Sequence, residues 1–214
     1  MKRYRVHPVI TDGLSLDWSA AEVLTEFSFP WERRPAPPTE FRALWSDERF
    51  HFRFDCVDED LVLGSGETSK DRVLASDRVE IFLAPDLTLT PYFCFEMEPR
   101  GEVLAYRGKS YRQFDLDWSC EDLRLSSGVE GSRYHVQGSL PMSALHEWQV
   151  LKPRATEFLA GVYRAEFSHC ADGSVHSGWM PWVNPGTEKP DFHVPGSFGV
   201  FELVASRREA SENI

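Results

Sequence analysis

Asp77-Arg-Val-Glu-Ile-Phe-Leu83 and Tyr92-Phe-Cys-Phe-Glu-Met-Glu98, joined by a connection with prolines at 85 and 91, decide how this chain folds. In the first segment Val79, Ile81 and Leu83 fall on one side of an extended chain, and Arg78 and Glu80 on the other. In the second, Phe93, Phe95 and Met97 alternate with Cys94, Glu96 and Glu98. Successive side chains of a strand point to opposite faces, so both segments read as strands with an apolar face toward a core and a carboxylate-rich face away from it. Set side by side, the two outer faces make a polar platform, and aromatic residues from a later loop supply its walls.

The same period extends in both directions. Arg3–Ile10 reads as a first strand, Thr11-Asp-Gly13 as a turn and Leu14–Trp18 as the next strand. Phe29 to Pro38 holds too many prolines for a central strand. Glu40–Trp45 and Phe50–Val57 form a hairpin across Ser46–Arg49, with Phe50, Phe52 and Phe54 on its core face. Gly64–Val73 reads as a polar loop and Pro99-Arg-Gly101 as a tight turn into Glu102–Tyr106. Glu121–Ser126, Tyr134–Leu140, Glu157–Phe167 and Phe198–Val204 follow as strands, and only Pro141–His146 has a helical pattern. The fold class is therefore all-β: a single antiparallel β-sandwich, jelly-roll-like, over residues 1–204, with 205–214 as a disordered polar tail.

A formal charge of −11 over 214 residues argues against nucleic acid, whose phosphates need concentrated Lys and Arg, and against an anionic membrane surface. No apolar segment follows the basic residues at 2, 3 and 5, and no window approaches a membrane span. Cysteines 56, 94, 120 and 170 include no C-x-x-C pair, and Cys56 shares a face with Phe52 and Phe54. This pattern suits a reduced, cytoplasmic monomer; a secreted form with two bridges is the alternative. Nucleophile elbow, phosphate loop, dinucleotide-binding glycines and zinc spacing are all missing from the sequence.

Taken in order, Ile10-Thr-Asp-Gly-Leu-Ser-Leu-Asp-Trp18, Phe41-Arg-Ala-Leu-Trp-Ser-Asp-Glu48 with Phe50-His-Phe-Arg-Phe54, Asp77–Leu83 and Phe192–Gly199 resemble the signatures of family 9 carbohydrate-binding modules. Those modules share a β-sandwich with the DOMON superfamily, and the resemblance spans roughly Val9 to Leu203. It implies noncatalytic binding of soluble sugars or xylan- and cellulose-type oligosaccharides, in connection with carbohydrate catabolism. In typical members two tryptophans clamp a sugar while platform residues bond its hydroxyls. The first clamp position is Leu74 here, a departure, and the second is Phe192. The motif glutamate is Glu80, and Glu96 and Glu98 stand at the polar positions of the next strand. Two other functions stay open. One is a glycoside hydrolase or hydrolase-associated protein using a carboxylate pair such as Glu80 and Glu96. The other is a haem-binding DOMON-type domain, whose axial candidate Met97 reads better as core.

A pyranose offers apolar C–H faces to aromatic planes and directional hydroxyls to carboxylates, Arg and amides. The ligand-binding set expected on this basis is Glu80, Glu96, Arg164, Trp182 and Phe192. Each has a plainer reading: Glu80 paired with Arg78 or Arg164, Glu96 and Glu98 on a solvated face, Phe192 as a lid, Trp179 and Trp182 as core. Arg164 shares parity with Glu166 and is expected to face outward in preference to Tyr163. Trp182 is expected to replace the clamp ring absent at Leu74, and His193 to be a loop hydrogen-bonder. Asp58 and Asp60, within the acidic run at 55 and 58–60, are calcium candidates that a solvated turn would equally explain. No other cofactor is expected.

Overall fold

Residues 1–9 and 16–205 are described by a computed structural model of the chain. The expected turn at 11–13, most of the opening signature, the start of the Leu14–Trp18 strand and the tail at 206–214 lie outside the described residues. Trp18–Ala20 forms a short 3-10 turn, whose first residue follows the capping Asp17.

The strands are β1 (Arg3–Pro8), β2 (Thr39–Trp45), β3 (Arg49–Val57), β4 (Arg78–Ala84), β5 (Tyr92–Met97), β6 (Val103–Lys109), β7 (Gln113–Asp115), β8 (Arg124–Glu130), β9 (Arg133–Pro141), β10 (Glu157–His169), β11 (Val175–Pro181) and β12 (Gly199–Leu203). Two short helices, α1 (Ser69–Leu74) and α2 (Met142–Glu147), interrupt them. The strands run in the order β7-β6-β5-β4-β10-β12-β1-β2-β3-β9-β8, with β11 added along β10. β1 is the hinge of this path: its residues 3–6 pair with β12 and its residues 7 and 8 with β2.

The all-β expectation holds. The simple antiparallel arrangement does not, because both pairings of β1 are parallel. Parallel neighbours need a long return connection, and the chain provides one between Pro8 and Thr39 and a longer one between Pro8 and Gly199. The result is one curled, mixed sheet folded over itself.

Between the folded halves lies the main core. Phe41, Phe52 and Phe54 from β2 and β3 share it with Val79, Ile81, Phe93 and Phe95 from β4 and β5. Phe50 is fully buried and meets Phe158 edge-on at 5.7 Å, with Phe201 at 6.1 Å. The predicted hairpin forms in the register that the phenylalanines require, Phe41 opposite Phe54 and Trp45 opposite Phe50.

Three elements escaped the alternation pattern. α1 occupies the expected polar loop and starts at a capping box, Thr68 Oγ1 accepting from the Asp71 N–H while the Asp71 carboxylate accepts from the Thr68 N–H. β11 carries Ser, Gly and Pro and alternates poorly. β7 has only three residues. The four cysteines are unpaired, with Cys56 and Cys94 buried, and no described helix is long and apolar enough to cross a membrane.

Truncating a fully buried phenylalanine forfeits both its transfer free energy and its packing. Phe50→Ala is expected to lower unfolding free energy by about 3–5 kcal/mol, read as a shifted midpoint in urea denaturation at constant slope. A change below about 1 kcal/mol, the range of ordinary surface substitutions, would contradict its central place.

Candidate functional site

The outer face of β4 and β5 departs most from expectation. Every residue of both strands is buried, the supposedly solvated ones included. At one end of that face Phe82, Tyr92, Cys94, Tyr106 and Tyr163 form a second apolar cluster closed by Phe192 and Phe198. At the other end the charged residues lie under a pocket of about 400 Å³.

Register assembles the pocket floor. Glu80 on β4 stands directly opposite Glu96 on β5, and direct partners in an antiparallel pair share a face. Arg78, two residues before Glu80, reaches the same side. Its Nε–H donates to Glu96 Oε2 at 2.8 Å, and Nη1 donates to the Leu74 carbonyl at 3.3 Å. Tyr106 from β6 donates its hydroxyl to Glu96 Oε1 at 2.7 Å. Glu80 Oε1 lies 3.0 Å from the same Nε, but the N–H is aimed at Glu96 and this oxygen is buried without a hydrogen bond. Burial, reinforced by the Glu96 charge and opposed by Arg78, pushes the Glu80 carboxyl well above its usual range.

The walls come from three directions. Trp179 on β11 stands over the Arg78 guanidinium at 5.4 Å, within cation–π range. Phe192 and His193 arrive from the closing loop, while Leu74 of α1 and Leu116 beyond β7 flank the mouth. His193 Nδ1 is 2.9 Å from the Tyr92 hydroxyl, and its ring sits 4.9 Å from Phe114. Burial, with Arg112 nearby, holds the imidazole down at about 4, so it is neutral at ordinary pH.

Of the five expected ligand-binding residues, Glu80, Glu96 and Phe192 meet in this pocket and Arg164 and Trp182 do not. Phe192 is 6% exposed, stacked on Tyr163 at 4.1 Å and 11° and met edge-on by Trp179. It is a lid that shows the pocket only part of its surface. Arg164 is paired with Val79, an inward residue, and Tyr163 with Glu80. Arg164 and Tyr163 do lie on opposite faces, but it is the charged Arg164 that turns inward and is fully buried. Trp182 is 2% exposed and lies against Phe201, above Gly199, where an added Cβ would come within 2.4 Å of its ring. Trp179, three residues earlier and therefore on the opposite face, is the pocket tryptophan. Glu98 is spent on its own turn, accepting from Arg100 and the Glu102 N–H. His193 is the loop hydrogen-bonder expected, its ring on the Tyr92 hydroxyl and its backbone N–H on Asp191, and it also lines the pocket.

The calcium candidates separate. Asp60 accepts from the His169 N–H at 2.7 Å and sits 2.8 Å from its Nδ1. Asp58 instead joins Asp77 and Glu166, their ligand atoms lying within 4.8 Å of one another. Calcium takes six to eight oxygens, whereas five of the six carboxylate oxygens here already accept hydrogen bonds. Arg164 donates to Asp58 Oδ2 and Glu166 Oε2, the Phe167 and Val62 N–H groups to Asp77, and the Asp60 N–H to Asp58 Oδ1. The guanidinium supplies the positive charge that an ion would bring, and the donor set does not fit calcium.

The family model described as "Carbohydrate family 9 binding domain-like" matches residues 12–206. Among curated proteins none matches. A solved structure of a Bacteroides uniformis protein to which carbohydrate binding has been ascribed superposes with a TM-score of 0.73 at 18% identity, covering 95% of this chain and 99% of that one. A family 9 carbohydrate-binding module from Caldicellulosiruptor kristjanssonii in complex with glucose gives 0.62 at 13%, covering 96% and 97%. The same module in complex with cellotriose gives 0.63 at 13%, covering 98% and 97%. At these identities the likeness is one of fold.

Two outcomes follow from the buried charges. Burial pushes Asp77 up to about 8 and Glu166 up to about 7. Acids raised in this way favour folding at low pH, and that contribution is lost as pH rises through the folded values. His51 and His193, both held down at about 4, act oppositely, their contribution being lost as pH falls below 6.5. The thermal midpoint is therefore expected to fall between pH 6.5 and 8.5, less steeply in Glu80→Gln; calorimetry showing a flat or rising midpoint would remove the raised acids. Chelation with EDTA is expected to leave the midpoint unchanged, and a drop of several degrees reversed by calcium would reinstate an ion.

Proposed function

The chain belongs to the carbohydrate family 9 binding domain-like family, and from that premise we propose that it is a noncatalytic binder of soluble sugars or xylan- and cellulose-type oligosaccharides, received in the pocket over β4, β5 and β6. The observation that carries this reading is the floor. Arg78, Glu80 and Glu96 line one pocket beneath an indole, both carboxyl groups set against a single guanidinium. Carboxyl and guanidinium groups lining a pocket exchange directional hydrogen bonds with sugar hydroxyls, while a pyranose face packs on Trp179. The neutral His193 ring adds an uncharged polar edge to the same pocket.

Hydrolysis is the weaker reading of the carboxylate pair. Cleavage asks one carboxyl to protonate the leaving oxygen and the other to act on the opposite side of the bond. Here both lie against the same guanidinium nitrogen, an arrangement for holding a ligand from one side.

Calorimetric titration with glucose, cellotriose and xylan-derived oligosaccharides, with product analysis of the same mixtures, tests the proposal. Saturable heat without new reducing ends is expected. Trp179→Ala, at a partly buried position, should weaken binding about tenfold or more with an unchanged far-ultraviolet spectrum, a loss of roughly 1.4 kcal/mol. Absence of binding across the panel, or wild-type affinity in the variant, would refute the site.

A further inference from the structure

The outer part of the pocket carries exposed apolar side chains beside the charged Lys70 and Arg112. Among the described residues ten large hydrophobic side chains are exposed, and three of them, Leu74, Phe114 and Leu116, line this one pocket at 41%, 37% and 44% exposure. Single exposed leucines need no explanation, but apolar side chains gathered at a concave site mark a surface that binds something apolar. They come from separate elements: α1, β7 and the segment beyond β7. Leu104 of β6 lines the same pocket and is half-buried.

The two exposed leucines suit an alkyl or aryl group better than a second sugar ring. An aromatic plane accepts the C–H face of a pyranose, whereas an aliphatic side chain offers area without a plane and gains by removing hydrocarbon from water. Trp179 and Phe192 belong to the inner wall, and the aliphatic surfaces of Leu74 and Leu116 lie outside them, with Phe114 alongside. The volume of about 400 Å³ falls in the range of roughly 300–1,000 Å³ that accommodates drug-sized ligands, which leaves room for more than one ring.

We infer that the pocket takes a glycoside with an apolar aglycone, its sugar on Arg78, Glu80 and Glu96 and its alkyl or aryl group between Leu74 and Leu116. This rests on the carbohydrate-binding reading of the same pocket and specifies its ligand class. The leucines contribute affinity by area alone, so they discriminate between glycosides of one sugar by the size and apolarity of the aglycone.

The test is calorimetric titration of the full chain at pH 7 with glucose, cellotriose, 4-nitrophenyl β-D-glucoside and octyl β-D-glucoside, the last kept below its micelle concentration, and with octanol alone. Both glucosides are expected to bind about tenfold or more tightly than glucose. In the double variant Leu74→Ser/Leu116→Ser, whose positions are solvent-facing, that advantage should vanish while glucose affinity is retained. If glucose or cellotriose binds and the glucosides gain nothing, or their gain survives in the double variant, the aglycone inference is overturned and sugar binding stands. Octanol binding as tightly as octyl glucoside would also overturn it, since the sugar would then contribute nothing. Silence with every sugar-bearing ligand would overturn both readings.

Discussion

Two arginines buried on opposite faces of one sheet organise this molecule. Arg78 on β4 and Arg164 on β10 are neighbours in register, one residue out of step, and so their side chains leave the sheet in opposite directions. Arg78 reaches the outer face, where it meets Glu80 and Glu96. Arg164 passes inward and meets Asp58 and Glu166, with further hydrogen bonds to Thr39 and the Val57 carbonyl at the ends of β2 and β3. A buried charge must be paired, and losing one partner of a buried pair typically costs about 3–5 kcal/mol. Each arginine therefore fixes more than its own position: Arg164 ties the two halves of the curled sheet together, and Arg78 holds two acids in fixed positions at the bottom of a pocket.

Much of this was legible in the sequence. The alternation in Asp77–Leu83 and Tyr92–Glu98 placed Val79, Ile81, Phe93 and Phe95 in the core correctly, and it put Glu80 and Glu96 on one common face. The same segments also held the feature that was passed over. Phe82 and Cys94 lie on that face as well, so it was never uniformly polar, and an apolar cluster at one end required a cover. Once the cover is granted, Phe192 becomes a lid on Tyr163 rather than an open sugar platform.

The assignments that failed share a cause. Arg164 was given the outward face because it is charged, and Trp182 was given the site because it is aromatic. Local sequence states which residues share a face, but the direction of that face is set by pairing with distant strands. The register of β10 against β4, Tyr163 opposite Glu80, decides both cases at once. It sends Arg164 inward, and through the pairing of Ala165 with Trp179 it brings that tryptophan to the pocket and leaves Trp182 to the core. The two calcium candidates separate for a related reason. Asp58 and Asp60 are two residues apart in sequence, yet their partners, Arg164 and His169, are more than a hundred residues away.

Leu74, where the family resemblance implies a clamp ring, then acquires a physical meaning under the proposed function. Two indoles facing each other select a flat pyranose on both sides and make its rings the main source of affinity. With an aliphatic residue at the mouth and Trp179 deeper in, the pocket separates what the clamp combined. On the proposed reading, orientation and hydroxyl recognition rest on the arginine-held acids of the floor, already paired with Arg78. On the same reading, affinity beyond that first ring rests on apolar area at the rim. A site divided in this way keeps the fold and the polar logic of its family while changing which part of the ligand is read.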